Sequence, residues 1–158
     1  MYKKQFEIRW SDVDANGHLA NSAYLNFMSH TRVGFLNENG FSLRELVKHG
    51  IGPVVFSEQI YYFKESFLEQ KVIVSLEVAG LSEDGMFFKF EHNFYNENGK
   101  HLATCDIIGA WINLKTRSLT GLPEDLKAKM QSFPKADSFK TLTKNDTRRP
   151  GKRPQNLI

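Results

Sequence analysis

The chain has a single cysteine, Cys105, in 158 residues, so it can form no internal disulfide and no thiolate cage for a structural metal. Cys105 falls in an apolar, strand-like stretch and reads as a buried, inert thiol rather than a nucleophile. No run of about 18 apolar residues is available to cross a bilayer. Nor is the opening Met1-Tyr-Lys-Lys-Gln5 followed by the apolar segment of a secretory leader. A soluble cytoplasmic protein without membrane attachment is therefore expected. Several catalytic signatures are also missing: a Gly-x-Ser-x-Gly elbow, a Gly-rich phosphate loop after a strand, and a His-Glu-x-x-His helix. The histidines at 18, 30, 49, 92 and 101 are scattered, with no spacing suited to a metal. No metal and no cofactor are expected.

What is present suits one compact domain. The residues are 41% hydrophobic and 25% charged, enough for one core. Thirteen Phe and five Tyr would fill that core, and they would equally line an apolar cavity. Charge is uneven. Residues 135–158 hold seven Lys or Arg against two Asp, a net of +5, and the whole chain carries only +3, which leaves the body at −2. This basic tail has one aromatic, Phe139, and no sustained apolar period, so it cannot bury enough surface to fold alone. The reading is a domain over 1–133 and a C-terminal tail over 134–158, an arm on a partner subunit or a mobile end. Its charges neither interleave with aromatics nor sit on a folded face, so nucleic acid is not the expected partner.

The order of elements sets the architecture. Lys3 to Trp10 reads as a strand with Phe6, Ile8 and Trp10 on one side. From Ser22 to Asn37 a helical stripe of Tyr24, Phe27, Met28, Thr31 and Phe35 is flanked by further apolar residues (Leu25, Val33, Leu36), so the helix should be buried nearly all round. Asn39-Gly40 ends it. Ser42 and Glu45 form a capping box for a short helix that stops at Gly50. Four long strands follow, at Val54–Lys64, Lys71–Leu81, Met86–Asn96 and His101–Lys115. Asp84-Gly85 and Asn98-Gly99 supply tight turns between them. Leu122 to Met130 reads as a last helix with Pro123 in its first turn. The predicted class is α+β, with an antiparallel sheet wrapped around one long central helix.

The chemistry concentrates in Asp12-Val-Asp14-Ala-Asn-Gly-His18, between the first strand and the long helix. Unpaired amides at a helix start carry partial positive charge and can hold an oxyanion, while a neighbouring carboxylate can attack a carbonyl or activate water. The run from Trp10 to Leu25 resembles the opening of the 4-hydroxybenzoyl-CoA thioesterase-like branch of the hotdog-fold superfamily. There, Asp-x-Asp-x-x-Gly-His or a variant precedes Asn and a Tyr-Leu helix start. Over residues 4 to 133 the element order is also that of a hotdog domain.

The resemblance implies an acyl-CoA thioesterase, acting on an acyl-CoA or an acyl carrier protein, as a homodimer or homotetramer with sites at the subunit boundary. It makes Asp14 the nucleophile or general base, whereas Asp12 reads as a turn builder. His18 orients the carboxylate, hydrogen-bonds substrate, protonates the leaving thiolate, or simply satisfies the turn. Asn21 and Ser22 are expected at the N-cap, where they fix the helix mouth that polarises the thioester carbonyl. Tyr24 is expected in the core or pocket wall. Arg32 matches an Arg common in the family, without the Glu that usually precedes it. By analogy Ser57 and Glu58 lie near the chemistry on the strand lining the acyl pocket. Lys64 meets a coenzyme A phosphate or is simply a solvated strand-end Lys, and Arg148 and Arg149 of the tail, folded over the site mouth of a neighbouring subunit, are further candidates for the phosphates. Relatives continue with Pro and a Gly-Asp pair after the Lys64 position, whereas this chain has Glu65-Ser66. Two rival readings share the fold. One is a hydratase, whose Asp-x-Asn-Pro-x-His motif Asp14-Ala-Asn-Gly-His18 approaches, but with Gly for Pro and the His one residue early. The other is a non-catalytic acyl-CoA-binding subunit.

Overall fold

The computed structural model describes residues 1–148 and 152–157. Six strands and three helices alternate as β1 (Tyr2–Glu7), α1 (Asn21–Glu38), α2 (Leu43–Lys48), β2 (Ile51–Tyr62), β3 (Lys71–Ser82), β4 (Phe87–Asn96), β5 (His101–Asn113), α3 (Glu124–Ser132) and β6 (Lys135–Leu142). A single sheet runs in the order β1-β3-β4-β5-β2, antiparallel throughout, with β6 added parallel to β3. The long helix α1 packs on this sheet, giving the α+β hotdog architecture that the element order predicts.

Burial along α1 follows the predicted stripe. Tyr24, Phe27, Met28, Thr31 and Phe35 are all buried. The N-terminal half of the helix packs into one apolar cluster with Val72, Val74, Phe94 and Ile107, and the C-terminal half packs through Phe35 and Leu36 into a second around Phe90 and Trp111. The other faces differ from expectation. Leu25 is 37% and Val33 56% exposed, so within one chain the helix is covered on one side only.

Three local expectations are corrected. First, Trp10 does not share the inner face of β1. The strand stops at Glu7, and Trp10 lies in a 3-10 turn over Trp10–Asp12 with its ring 79% exposed. The turn is held by Asp12, which accepts from the Arg9 amide and takes the Arg9 guanidinium at 3.0 and 3.1 Å, so the strand's alternation is broken by a local polar bond. Second, the N-cap of α1 is Ala20, and Asn21 is already the first helical residue. Its Oδ1 accepts from the Ser22 amide at 3.1 Å. The Ala20 amide is tied back to the Asp12 carbonyl, and this tertiary tether replaces a side-chain cap. Third, the tail is not free from residue 135. β6 adds to the β3 edge from Val78 to Ser82, just past Leu76 where β1 stops, and Ala136 and Leu142 are buried. A sheet edge with open amides and carbonyls is a template for another strand. The β6 sequence lacks clean alternation because a register break at Val78/Gly80 distorts its pairing. Beyond β6, Asp146 accepts from the Thr143 amide and hydroxyl and pairs with Lys140. Arg148 returns over the chain's own sheet, beside Phe56 and Lys89. Arg149 lies outside the described residues.

Strand bounds shift by a few residues. β2 starts at Ile51 and accommodates Pro53 because it is an edge strand, whose outward amides need no partner. Gly109 on β5 is required by close packing: a Cβ there would come 2.5 Å from the Phe88 ring and press on the Val54 carbonyl.

Candidate active site

The segment from Val13 to Leu19 folds as a tight loop closed by an antiparallel bridge between those two residues. The Asp14 amide donates to the His18 carbonyl at 2.8 Å, and Gly17 takes φ +73°, where a side chain would be strained. Asp14 Oδ1 accepts from the amides of Asn16 at 2.8 Å and His18 at 3.1 Å. One carboxylate oxygen therefore builds the turn. The other, Oδ2, has no protein partner among the described residues and is available for chemistry.

A second tether comes from the loop after β2. His18 bridges to Phe67, and the Leu19 amide donates to the Ser66 carbonyl at 2.7 Å. Across this contact His18 Nε2 meets Glu65 Oε2 at 2.9 Å, with the Phe67 ring edge-on at 5.2 Å between centroids. The His18 ring is thereby oriented by Glu65, not by Asp14. Glu65 is the charged residue of the site that sequence reasoning missed, alongside Leu19, Tyr62 and Phe63. Its only signal was negative: Glu65-Ser66 stands where relatives change to Pro and Gly-Asp.

The loop and helix start enclose a pocket of about 360 Å³ lined by Asp14, His18, Leu19, Asn21, Tyr24, Tyr62, Phe63, Lys64 and Glu65. Five of the seven predicted site residues meet here: Asp14, His18, Asn21, Tyr24 and Lys64. Tyr24 is a wall, 3% exposed, with Tyr62 edge-on at 5.1 Å and Phe94 at 4.8 Å. Burial pushes its phenol above the usual range, with the Tyr62 hydroxyl adding to the rise and a hydrogen bond to Ser66 opposing it. Lys64 is the one Lys in the lining, and its neighbour Lys100, outside the lining, has its ammonium pushed down by Lys64.

The remaining two lie elsewhere. Ser57 lines a different cavity, of about 600 Å³, with Phe56, Lys89, Asp106 and Arg148. Glu58 borders that cavity, and it also lines a groove of about 470 Å³ with Asn21, Ser22, Leu25, Ile60 and Tyr62. That groove shares Asn21 and Tyr62 with the Asp14 pocket, so Glu58 is a neighbour of the site but not at its centre. Arg32 lies behind Glu58, its Nη2 3.8 Å from Oε1. Burial pulls the guanidinium below its ordinary value, and Glu58 partly offsets this. Asp12 is 6% exposed and absorbed by Arg9, whose guanidinium holds its carboxyl below the usual range. Cys105 is fully buried, and burial pushes its thiol up to about 12, as an inert core residue requires.

Residues 8–130 match the family model of the thioesterase-like superfamily. The chain belongs to that superfamily. The matched span runs from the end of β1 to α3 and contains every residue of the Asp14 pocket. No curated protein sequence matches the chain. Solved structures share the fold of this superfamily member at low identity. A 1,4-dihydroxy-2-naphthoyl-CoA thioesterase from Synechocystis is 16% identical with a TM-score of 0.73, over 83% of this chain and 96% of that one. A DHNA-CoA thioesterase from Staphylococcus aureus is 22% identical with a TM-score of 0.75, over 82% and 87%. A second Staphylococcus aureus protein, solved in complex with CoA, is 19% identical with a TM-score of 0.78. It covers 98% of this chain and 94% of its own, so the likeness reaches into the segment after α3.

Proposed function

We propose that the protein is an acyl-CoA thioesterase, hydrolysing the thioester to a free acid and CoA with Asp14 as nucleophile or general base. The observation that carries this reading is the division of labour within Asp14. Oδ1 is fixed by two backbone amides, and Oδ2 is left for substrate in a pocket that also holds the start of α1. A carboxylate held this way is placed without rotamer freedom of its own, and losing that freedom in advance lowers the barrier. The Ser22 and Ala23 amides are bonded within the chain, so the Asn21 amide together with the dipole of α1 supplies positive potential for the oxygen of the tetrahedral intermediate. The leaving thiolate needs no strong acid, since a thiol of ordinary pKa departs readily near neutral pH. His18, oriented by Glu65, holds substrate at the pocket wall.

Lys64 in the pocket lining suits a phosphate of coenzyme A, and an acyl carrier protein would present a phosphate there as well. The open edge of β2, with Val55, Phe56, Tyr61, Tyr62 and Phe63 exposed, suits pairing with a second copy as a homodimer. Residues 1–133 form the catalytic domain in this reading, and residues 134–158 are an extension that docks on it through β6. Hydratase chemistry is disfavoured because His18 is paired with Glu65 and not presented with Asp14 as an acid–base couple. A panel of short, long and aromatic acyl-CoAs, assayed by free-thiol release, tests the function. Hydrolysis lost in Asp14→Asn supports it, and no release from any member of the panel overturns it.

A further inference from the structure

The oxygen that gains charge in thioester hydrolysis is short of donors at the mouth of α1. In the first turn the Ser22 amide is taken by Asn21 Oδ1 at 3.1 Å, and the Ala23 and Tyr24 amides by the Ala20 carbonyl at 2.9 and 3.3 Å. Of these amides only that of Asn21 is without an acceptor among the described residues. An oxyanion is best held by donors fixed in place before the reaction, and one backbone amide is a weak hold. A further donor is therefore to be sought in the side chains of the pocket lining. Asp14 and Glu65 only accept. His18 turns Nε2 to Glu65 at 2.9 Å, so that nitrogen carries the proton, and Nδ1 of the neutral ring has none to give. Asn21, Tyr62 and Lys64 line the pocket with exposed side chains, which are free to turn.

Tyr24 differs from all of these because it lines the pocket and is only 3% exposed. It stands one turn after Asn21, about 4.5 Å along the helix axis. Helical side chains lean back toward the N-terminus, which carries the phenol toward the mouth. Tyr62 edge-on at 5.1 Å and Phe94 at 4.8 Å hold the ring in place. The hydroxyl meets Ser66, which belongs to the same mouth: the Ser66 carbonyl accepts from the Leu19 amide at 2.7 Å. Ser66 is buried, and among the described residues its hydroxyl has no acceptor other than the Tyr24 oxygen. A buried hydroxyl left without an acceptor is costly, so Ser66 donates and Tyr24 accepts. The phenol proton is then left for the pocket. Burial, with the Tyr62 hydroxyl, raises the phenol above its ordinary pKa despite Ser66, so the proton stays on it.

We propose that the Tyr24 hydroxyl is a catalytic donor, holding with the Asn21 amide the oxygen of the tetrahedral intermediate. When the nucleophile adds to the thioester carbon, the carbonyl π pair moves onto that oxygen. Tyr24 shares its proton with the oxygen but keeps it. The pair returns to re-form the carbonyl as the C–S bond breaks and the thiolate leaves. This inference rests on the acyl-CoA thioesterase reading above and adds a residue to its chemistry.

The test is Tyr24→Phe, which removes the donor and keeps the ring against Tyr62 and Phe94. The substrate is whichever acyl-CoA of the panel the wild-type protein hydrolyses fastest. The expected result is a kcat lower by about 10²-fold or more, as for one lost oxyanion donor. Affinity for the same acyl-CoA, measured by calorimetry in the Asp14→Asn background, should change by less than about threefold, because the hydrogen bond strengthens only as charge develops. Tyr24→Phe strands the Ser66 hydroxyl, so Tyr24→Phe/Ser66→Ala is measured beside it. This double variant should show the same loss of kcat. A kcat within about threefold of wild type in Tyr24→Phe, or its recovery in the double variant, overturns the inference and leaves the thioesterase reading standing. An affinity that falls as far as kcat makes Tyr24 a pocket wall only and also overturns it. Absence of hydrolysis across the panel with the wild-type protein overturns the inference and the thioesterase reading together.

Discussion

Asp14 serves the turn with one oxygen and, in the proposed chemistry, the substrate with the other, so two substitutions at this position should separate fold from function. Asp14→Asn keeps an oxygen that can accept from the Asn16 and His18 amides, now 2.8 and 3.1 Å away, but it is neither a nucleophile nor a base. Asp14→Ala removes both roles. The two amides lie in an exposed loop, where water replaces part of what is lost, so the alanine variant should be destabilised by about 1 kcal/mol, near the usual value for a lost cap. In a domain of this size that lowers the melting temperature by roughly 2–4 °C. Asp14→Asn should melt within about 1 °C of wild type on the same scale. Both variants should lose about 10²-fold or more in kcat/KM for thioester hydrolysis, the usual contribution of a positioned acid–base group. Thermal unfolding and thiol release on the three proteins give both numbers. If Asp14→Asn retains kcat/KM within about threefold, less than 1 kcal/mol of transition-state stabilisation is at stake, and Asp14 is a turn residue only.

Other consequences can be read from single contacts. Glu65→Gln should weaken the hold on His18 and lower kcat/KM by no more than about fivefold, because the pair is partly exposed and such pairs contribute under 1 kcal/mol; a loss of about 10²-fold would make Glu65 part of the chemistry. His92 has a folded pKa of about 3, below the ordinary 6.5, so the unfolded chain binds the extra proton first as pH falls. Stability should therefore drop between pH 6.5 and 3 at up to about 1.4 kcal/mol per pH unit from this group, and denaturant titrations of His92→Gln, which keeps a donor for Ser75, should show a shallower acid limb. Gly109→Ala should cost about 1–3 kcal/mol through overpacking against Phe88 and Val54, measurable by urea unfolding; an unchanged midpoint would refute the close approach. Truncation after Phe133 should uncover the β3 edge from Val78 to Ser82 and lower solubility, read by light scattering.

The fold was legible because its main signals are periodic. The stripe of Tyr24, Phe27, Met28, Thr31 and Phe35 repeats at helical spacing, and the four long strands carry β-branched and aromatic residues between Asp84-Gly85 and Asn98-Gly99 turns. Trp10 and β6 were not legible for opposite reasons. Trp10 continues the alternation of β1 on paper, but the Asp12–Arg9 bond turns the chain before it arrives. β6 lacks alternation and exists because an edge of β3 was left open where β1 stops. The exposed side of α1 was misjudged because apolar content does not say which partner covers it.

Within the site, local chemistry on one short segment could be read directly. Asp14, His18 and Asn21 lie within eight consecutive residues, and a Gly turn before a helix brings such residues to one mouth by backbone geometry alone. Tyr24 joins them as the next turn of the same helix. Glu65, Tyr62 and Lys64 reach that mouth only because β2 folds back and its following loop bridges His18 to Phe67, a contact between residues nearly fifty apart that no local pattern encodes. The same holds for Glu58 and Arg32, which approach to 3.8 Å from two separate elements. The identity of the turn and the carboxylate on it was thus determined by the sequence alone, through short-range sterics and hydrogen bonding. Which side chains surround that carboxylate was decided by the tertiary structure, because those contacts arise from sheet register and helix packing.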